Sequence, residues 1–118
     1  MSWNLNSDRP IFVQIMEHME YDIVSGALSP GAKVPSVREL ASAAAVNPNT
    51  MQRALSEMER RGLMHSERTS GRYITDDESV IASLRDSIAN GRAEAFITQM
   101  KRLGLGKDEV LKLVKENY

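Results

Sequence analysis

Two helix starts follow one another closely in the middle of this chain. Ser36 and Glu39 form a capping-box pattern, in which the serine side chain accepts a backbone N–H hydrogen bond and the glutamate side chain accepts one in return. Asn47-Pro48 marks the second start, because asparagine is a favoured N-cap and proline suits the first helical position. Helices that begin so close together must pack across a tight turn, so this stretch predicts a helix-turn-helix.

A short β-hairpin, or wing, is predicted directly after these helices. Gly62 favours the end of the third helix, and residues 63–66 and 72–75 can pair as strands. A first helix is expected to begin at Pro10 and to end at Gly26, with its apolar residues spaced for one face. The predicted fold class is therefore mainly α with a small β-wing: a winged helix-turn-helix followed by a short α-helical dimerisation tail.

On this interpretation the chain has three parts. Residues 1–9 form an N-terminal arm, in which Trp3 and Leu5 alternate with polar residues as in a short strand. Residues 10–75 form the winged helix-turn-helix domain, and residues 76–118 form the helical tail. The tail is expected to hold a long helix and a last short one, and Asn90-Gly91 leaves a break in the long helix open because an interior glycine weakens a helix.

Composition excludes several classes of protein. The 118 residues include no cysteine, which excludes a disulfide framework and a thiolate metal site. No window approaches the roughly 18 apolar residues of a membrane span, and the N-terminus lacks the basic start and apolar centre of a signal peptide. We therefore expect a soluble, cytoplasmic protein that has no contact with a membrane.

The distribution of charge supports a nucleic-acid partner more than the total does. The formal net charge is only −1. Seven basic and four acidic residues lie between Lys33 and Thr75, whereas the rest of the chain holds eight basic and twelve acidic residues. The positive charge therefore coincides with the predicted helix-turn-helix and wing, which is where phosphates would be contacted.

The third helix carries side chains that suit the major groove of DNA. Asparagine, glutamine and arginine can make two hydrogen bonds to one base, and the groove is wide enough to admit a helix. Free N–H groups at the helix start also favour a phosphate. Residues of these kinds cluster at the start of the predicted helix: Asn47, Asn49, Thr50, Gln52 and Arg53.

Further residues extend the predicted DNA-binding surface beyond this helix. Arg38 lies early in the second helix, whose start is Ser36, on a side that can turn toward the same groove. The wing adds basic and small residues that allow close approach to a backbone or a minor groove: Arg68, Ser70, Gly71 and Arg72. Each polar residue taken singly is also typical of a solvated helix face, and Arg38 could instead pair with Glu39. Their combination in one winged motif favours DNA binding.

Three segments resemble the N-terminal winged-helix domain of GntR-family bacterial transcription regulators. They are GALSPG at 26–31, VPSVRELA at 34–41 and VNPNT at 46–50. The similarity covers residues 10–75, and the short tail, predicted to contain two helices, resembles that of the YtrA-type subfamily. The resemblance implies a homodimer that binds operator DNA and usually represses, often at genes for ABC-type transporters. Because symmetric dimers favour palindromic half-sites, we expect a palindromic operator, with the protein's own operon as a further candidate target.

The resemblance also implies roles for particular residues. Arg38 would be the base-reading arginine, and Gly71 would lie at the wing tip. Asn49, Thr50 and Gln52 would contact DNA near the start of the recognition helix. The chain departs from the family pattern in having Ala45 where glycine is common in the turn, and fewer glycines in the wing. If the turn is left-handed there, alanine costs about 1–2 kcal/mol.

The tail is too short to enclose a sizeable ligand pocket alone, but it can bury an apolar stripe against a second copy. We predict a two-fold dimer interface, with packing against the chain's own winged helix as the alternative. The apolar residues predicted at this interface are Ile81, Leu84, Ile88, Phe96, Met100, Val110, Leu111 and Val114.

Other functions fit the sequence less well. His18 and His65 show neither metal-ligand spacing nor a nucleophile–base pair, so we expect no enzyme, no cofactor and no metal site. A winged helix that serves as a protein–protein interaction module remains the alternative function. An unidentified small-molecule effector could also bind, although no set of residues indicates its chemistry.

Overall fold

The computed structural model describes residues 3–118 and contains five helices and one two-stranded antiparallel sheet. The elements in chain order are α1 (Ile11–Ser25), α2 (Val37–Ala44), α3 (Pro48–Arg60), β1 (Met64–Glu67), β2 (Gly71–Ile74), α4 (Glu78–Arg102) and α5 (Lys107–Asn117). The predicted fold class, mainly α with a small β-wing, is confirmed. Element ends lie close to the predicted positions because local capping and turn residues determine them.

The two predicted helix starts have the expected hydrogen bonds. The Ser36 hydroxyl accepts from the Glu39 backbone N–H at 3.1 Å, and the Ser36 N–H donates to the Glu39 carboxylate at 3.4 Å. At the start of α3, the Asn47 side-chain oxygen accepts from the Asn49 N–H at 2.7 Å. These caps satisfy N–H groups that a helix start would otherwise leave unpaired.

The turn between α2 and α3 is left-handed at Ala45, with φ 57° and ψ 45°. The Ala45 N–H donates to the carbonyl of Ser42 at 3.2 Å, and the Val46 N–H donates to that of Ala41 at 3.0 Å. Val46 is half-buried against the core. The turn therefore keeps a left-handed shape in which glycine would be unstrained, and the strain falls on alanine.

The hydrophobic core lies where α1, α2 and α3 meet. Its fully buried residues include Ile15 and Met19 from α1, and Met51 and Leu55 from α3. The wing adds to this core through buried side chains at its base, and the loop before α2 is tied to it by backbone hydrogen bonds, such as that from the Val34 N–H to the Arg72 carbonyl at 2.9 Å. The position of the wing is thus coupled to the start of α2.

The N-terminal arm forms no strand over residues 3–9. The buried side chain of Gln14 holds it instead, accepting from the Asn6 N–H at 2.9 Å and donating to the carbonyls of Asn6 and Arg9. The Trp3 ring stacks on His18 at a centroid distance of 4.0 Å. The alternation of Trp3 and Leu5 therefore reflects two apolar side chains that pack against the core, and not strand pairing.

The chain divides into two compact units, residues 1–84 and residues 85–118. The division falls after Leu84, later than the predicted start of the tail at residue 76, because the first turns of α4 pack on the core of the first unit. Ile81 is only 6% exposed there, so this member of the predicted dimer interface is a core residue. The helix itself is continuous through Asn90 and Gly91.

Replacing Ala45 with glycine tests the strain in the turn. The left-handed backbone costs alanine about 1–2 kcal/mol, and the greater freedom of glycine in the unfolded chain offsets about 0.4–1 kcal/mol of that. We expect Ala45→Gly to raise the free energy of unfolding by roughly 0.5–1 kcal/mol, measured by urea denaturation. Ala43→Gly is the control, since Ala43 is exposed and helical and its replacement should lower stability. A loss of stability in both variants would contradict this account.

Candidate nucleic-acid interface

One side of α3 packs on the core, and the opposite side is exposed to solvent. Met51, Ala54, Leu55 and Met58 are buried, which determines how the helix is rotated about its axis. Exposed polar residues occupy the opposite side: Asn49, Gln52, Arg53, Ser56 and Arg60. The predicted residues at the start of the helix therefore face solvent, apart from the half-buried Thr50. A helix exposed in this way can enter a major groove without rearrangement.

Asn47 has a divided role. Its side-chain oxygen caps α3, which leaves its amide NH₂ group available for a phosphate or a base. The capping bond also fixes the side chain at the helix start, beside the backbone N–H groups that favour an anion. The structure therefore gives Asn47 a capping role and leaves its amide group exposed at the predicted DNA-binding surface.

Arg38 is exposed at the second position of α2. Glu39, its predicted alternative partner, is engaged in the capping box with Ser36. Within residues 3–118, no hydrogen bond or ion pair holds the Arg38 guanidinium. An unpaired arginine keeps all its donors for an incoming acceptor, such as the two acceptor atoms that guanine presents in the major groove.

A groove of about 580 Å³ lies between the start of α2 and the wing. Its lining brings together four of the predicted residues, Ser36, Ser70, Gly71 and Arg72, with the additional cation Lys33. A Cβ atom at Gly71 would make only an ordinary contact with the Lys33 side chain, at 3.5 Å, so it is the positive φ of 109° that favours glycine at this position. Lys33 was missed as a candidate because its contact with the wing depends on tertiary structure.

Arg53, one of the predicted DNA-binding residues, contacts α1 instead of being fully free. Its guanidinium lies 3.7 Å from the centre of the Phe12 ring, a cation–π contact that directs it toward α1. The next turn continues this α1-facing charged surface, where Glu57 accepts hydrogen bonds from Arg60 at 2.8 Å and from Arg61 at 3.3 Å. These hydrogen bonds, that of Arg60 above all, lower the pKa of Glu57 to about 2.

Arg72 is also held within the protein. Its Nε donates to the Glu59 carboxylate at 3.0 Å, and its Nη2 lies 3.5 Å from the Ser56 hydroxyl. Ser66 donates to the same Glu59 oxygen at 2.8 Å. Hydrogen bonds from Ser66 and then Arg72 lower the pKa of Glu59. By contrast, Arg68 is exposed in the wing loop.

Neither histidine joins this surface. His18 stacks on Trp3 and its Nε2 lies 3.2 Å from Asp22, whereas the His65 Nε2 lies 3.3 Å from Glu67. Among residues 3–118, no group of three or more His, Cys, Asp or Glu residues is arranged to hold a metal ion. In the same part of the chain, no helix has the length and apolar character needed to cross a bilayer.

Comparison with known proteins places this geometry in a family. The sequence model of the bacterial regulatory proteins of the gntR family matches residues 12–74, more than half of the chain. The chain belongs to the GntR family. The match covers α1, the helix-turn-helix and the wing, which carry every DNA-contact residue predicted above.

Two GntR relatives from Bacillus subtilis (strain 168) are similar over most of this chain. The uncharacterized HTH-type transcriptional regulator YhcF is 42% identical over 115 residues, which span 98% of this chain and 95% of YhcF. The HTH-type transcriptional repressor YtrA is 35% identical over 97 residues, which span 82% of this chain and 70% of YtrA. The YtrA-type assignment is confirmed. This GntR protein is a DNA-binding transcription regulator and not an enzyme.

Solved structures show the same fold. A GntR family transcriptional regulator from Listeria monocytogenes has a TM-score of 0.89 and 38% identity, covering 95% of this chain and 98% of its own. The DNA-binding domain of AraR, solved in complex with an operator, has a TM-score of 0.55 and 25% identity, covering 64% of this chain and 94% of its own. DNA is thus the partner of a related winged helix.

The pairing of Glu57 with Arg60 and Arg61 predicts a pH dependence. The folded-state pKa of Glu57, about 2, lies below its ordinary value of 4.5. These ion pairs therefore stabilise the folded state above pH 4.5 and lose that contribution as the pH falls through about 2. We expect Glu57→Gln to lower the melting temperature at about pH 6, and the difference from the wild type to shrink below pH 4.5.

The control for this measurement is Glu94→Gln, which removes the same charge from an exposed position in α4. Melting curves followed by circular dichroism should show little difference between this variant and the wild type at any pH. A difference for Glu57→Gln that persists unchanged to the acid limit would contradict the assigned pKa.

Proposed function

We propose that this GntR protein is a cytoplasmic homodimer that binds a palindromic operator and represses the adjacent genes, with transporter genes and its own operon as the first candidates. Two observations carry the DNA-recognition part: Arg38 is exposed and unpaired near the start of α2, and the start of α3 presents exposed polar side chains. Asn49 and Gln52 are exposed in the first turns of α3, and each of the three side chains can make paired hydrogen bonds to a base. In this proposal they contact the same major groove.

The groove between α2 and the wing supports a phosphate contact on the flank of this surface. Lys33, Ser36 and Ser70 provide one cation and two hydroxyl groups around it. Contacts to the phosphate backbone position a protein on the duplex, whereas contacts to base edges select the sequence. In this proposal, Arg38, Asn49 and Gln52 select the operator, and Lys33, Ser36, Ser70 and Arg68 orient the protein on it.

Repression follows from the similarity to YtrA, which is named a transcriptional repressor. A dimer seated in two successive stretches of major groove occupies DNA that a polymerase would need. The proposed effect on transcription is therefore exclusion. It requires no catalytic group and no cofactor.

The second unit supports dimerisation because it has almost no core of its own. None of its described residues, 85–118, is buried. Large apolar side chains are exposed instead, including Leu103 at 70% and Leu111 at 48%. A helical hairpin that hides so little apolar surface gains little stability from folding alone, whereas a second copy would cover it.

The exposed apolar residues lie on both sides of this hairpin. One groove, of about 370 Å³, includes Phe96, Met100 and Val114, and another, of about 470 Å³, includes Val110 and Leu111. The proposed interface therefore keeps these five predicted residues, together with Ile88 and Leu84 on α4, and omits the buried Ile81. A two-fold axis would bring identical hairpins together and present two equal DNA-binding surfaces.

Selection from a random pool of DNA duplexes tests the whole proposal. We expect enrichment of an inverted repeat, because two-fold symmetric proteins bind two-fold symmetric sites. Affinity for the enriched duplex should fall steeply with salt concentration. Failure to enrich any duplex under low-salt conditions would favour a winged helix that contacts proteins instead.

Arg38→Ala should lose discrimination among operator sequences. A two-pronged contact between arginine and guanine contributes roughly 1–3 kcal/mol of discrimination, which corresponds to about 5- to 150-fold. Competition binding between the enriched duplex and single-base variants measures this loss. Arg38→Lys serves as the control: it keeps the charge but lacks the fork, so its discrimination should fall while its salt dependence remains. An unchanged sequence preference in Arg38→Ala would refute the assignment.

Charges placed in the hairpin grooves should separate the dimer. We expect the double variant Leu111→Glu/Val114→Glu to be monomeric at micromolar concentration by light scattering, because each glutamate would be buried without a partner. Lys112→Glu/Lys115→Glu is the control, since it changes the charge of the same helix by twice as much at exposed positions. The proposed interface would be refuted if the wild type were itself monomeric, or if the Leu111→Glu/Val114→Glu variant stayed dimeric.

A further inference from the structure

A chain of polar side chains joins the recognition helix α3 to the wing. It begins at Gln52, whose amide donates to the Ser56 hydroxyl at 3.1 Å. Arg72 of β2 lies across from both Ser56 and Glu59, and Ser66 of β1 reaches the same Glu59 oxygen. The network therefore connects a predicted base-contact residue on the helix with both strands of the wing.

Arg72 occupies the central position in this network. Its side chain is only 18% exposed, whereas an arginine available to bind a phosphate is expected to be largely exposed. The planar guanidinium directs Nε to Glu59 and Nη2 toward Ser56, so its two contacts require a single orientation of β2 against α3. Lysine, with one flexible ammonium group, could not impose the same orientation.

This network adds to the other contacts that hold the wing. The wing consists of two four-residue strands joined by residues 68–70, and residues 65–71 are all exposed. A two-stranded hairpin is marginally stable by itself. The buried residues Met64 and Ile74 hold its base, and backbone hydrogen bonds tie β2 to the loop before α2. The side-chain hydrogen bonds between the wing and α3 come from the network described above.

We propose that Glu59 and Arg72 are positioning residues that orient the wing relative to the recognition helix before DNA binds. This assignment gives Arg72 a role different from the DNA contact predicted from the sequence. In this role Glu59 favours DNA binding, although its negative charge repels the negative phosphates of DNA. The proposal rests on the DNA-binding function proposed above, and it adds how the two parts of the DNA-binding surface are kept in register.

Removing the charge of Glu59 should change the affinity for DNA in a direction that distinguishes this proposal from its alternative. If Glu59 merely sequesters a DNA-contacting Arg72, replacing it with glutamine removes a repulsive charge and frees a cation. Binding should then become tighter and its salt dependence steeper. If Glu59 orients the wing, the same replacement must weaken binding, because the wing then has to be ordered when the complex forms. The two interpretations predict opposite changes in affinity.

The experiment compares Glu59→Gln, Arg72→Lys and the double variant with the wild type. The probe is the duplex that the wild type enriches from a random pool, and affinity is measured over a series of salt concentrations. Glu57→Gln is the matched control, because it removes the same charge from the same helix on the side that faces Arg60 and Arg61. Melting temperatures establish that every variant is folded.

We expect Glu59→Gln and Arg72→Lys each to weaken binding roughly 5- to 10-fold, and the double variant to be no weaker than either single variant, since all three break one network. The slope of affinity against salt should not change, because the complex keeps its phosphate contacts. Glu57→Gln should bind as well as the wild type or slightly better. Tighter binding by Glu59→Gln, or wild-type affinity in Arg72→Lys, would overturn the proposal.

Hydrogen exchange in the free protein tests the orientation of the wing separately from the proposed DNA-binding function. Backbone amides of β1 and β2 should exchange faster in Glu59→Gln and Arg72→Lys than in the wild type and in Glu57→Gln. This result does not depend on a DNA duplex, so it stands even if the selection recovers no operator. Unchanged exchange in both wing variants would show that the network does not restrain the wing, whatever the protein binds.

Discussion

The burial of one side of α3 is the constraint on which the rest of the structure depends. Met51, Ala54, Leu55 and Met58 are each at most 1% exposed, and burying a side chain such as leucine or methionine contributes about 1.5–3 kcal/mol. Rotating the helix by one residue, about 100°, would bring some of these side chains into water and force polar residues into the core. The outward direction of Asn49 and Gln52 is thus a consequence of packing on the other side.

The acidic residues around the helix-turn-helix determine which cations remain available for DNA. Glu39 is engaged by the cap of α2, so it does not neutralise Arg38. Glu57 pairs with Arg60 and Arg61, and Glu59 pairs with Arg72. The count of basic residues in this region therefore overstates its free positive charge. The distribution of partners, more than the net charge, decides where a phosphate can approach.

The two units differ in how they achieve stability. The first encloses a continuous core of apolar residues, whereas none of the described residues of the second is buried. The hairpin nevertheless has well-formed ends: Gly106, before α5, donates its N–H to the Glu109 carboxylate at 3.1 Å. Its local structure is therefore encoded within each helix, while its stability has to come from the surfaces that its apolar residues meet.

The sequence by itself determined the helix starts, the wing and the residue types at the start of α3, because caps, turns and helical periodicity act over a few neighbouring residues. It also indicated the family through three short segments. Only the tertiary structure decided that Arg53 lies over Phe12, that Arg72 pairs with Glu59 and that Ile81 is a core residue. These contacts join elements that are distant along the chain, so they depend on how each element is rotated and packed, and periodicity cannot specify that.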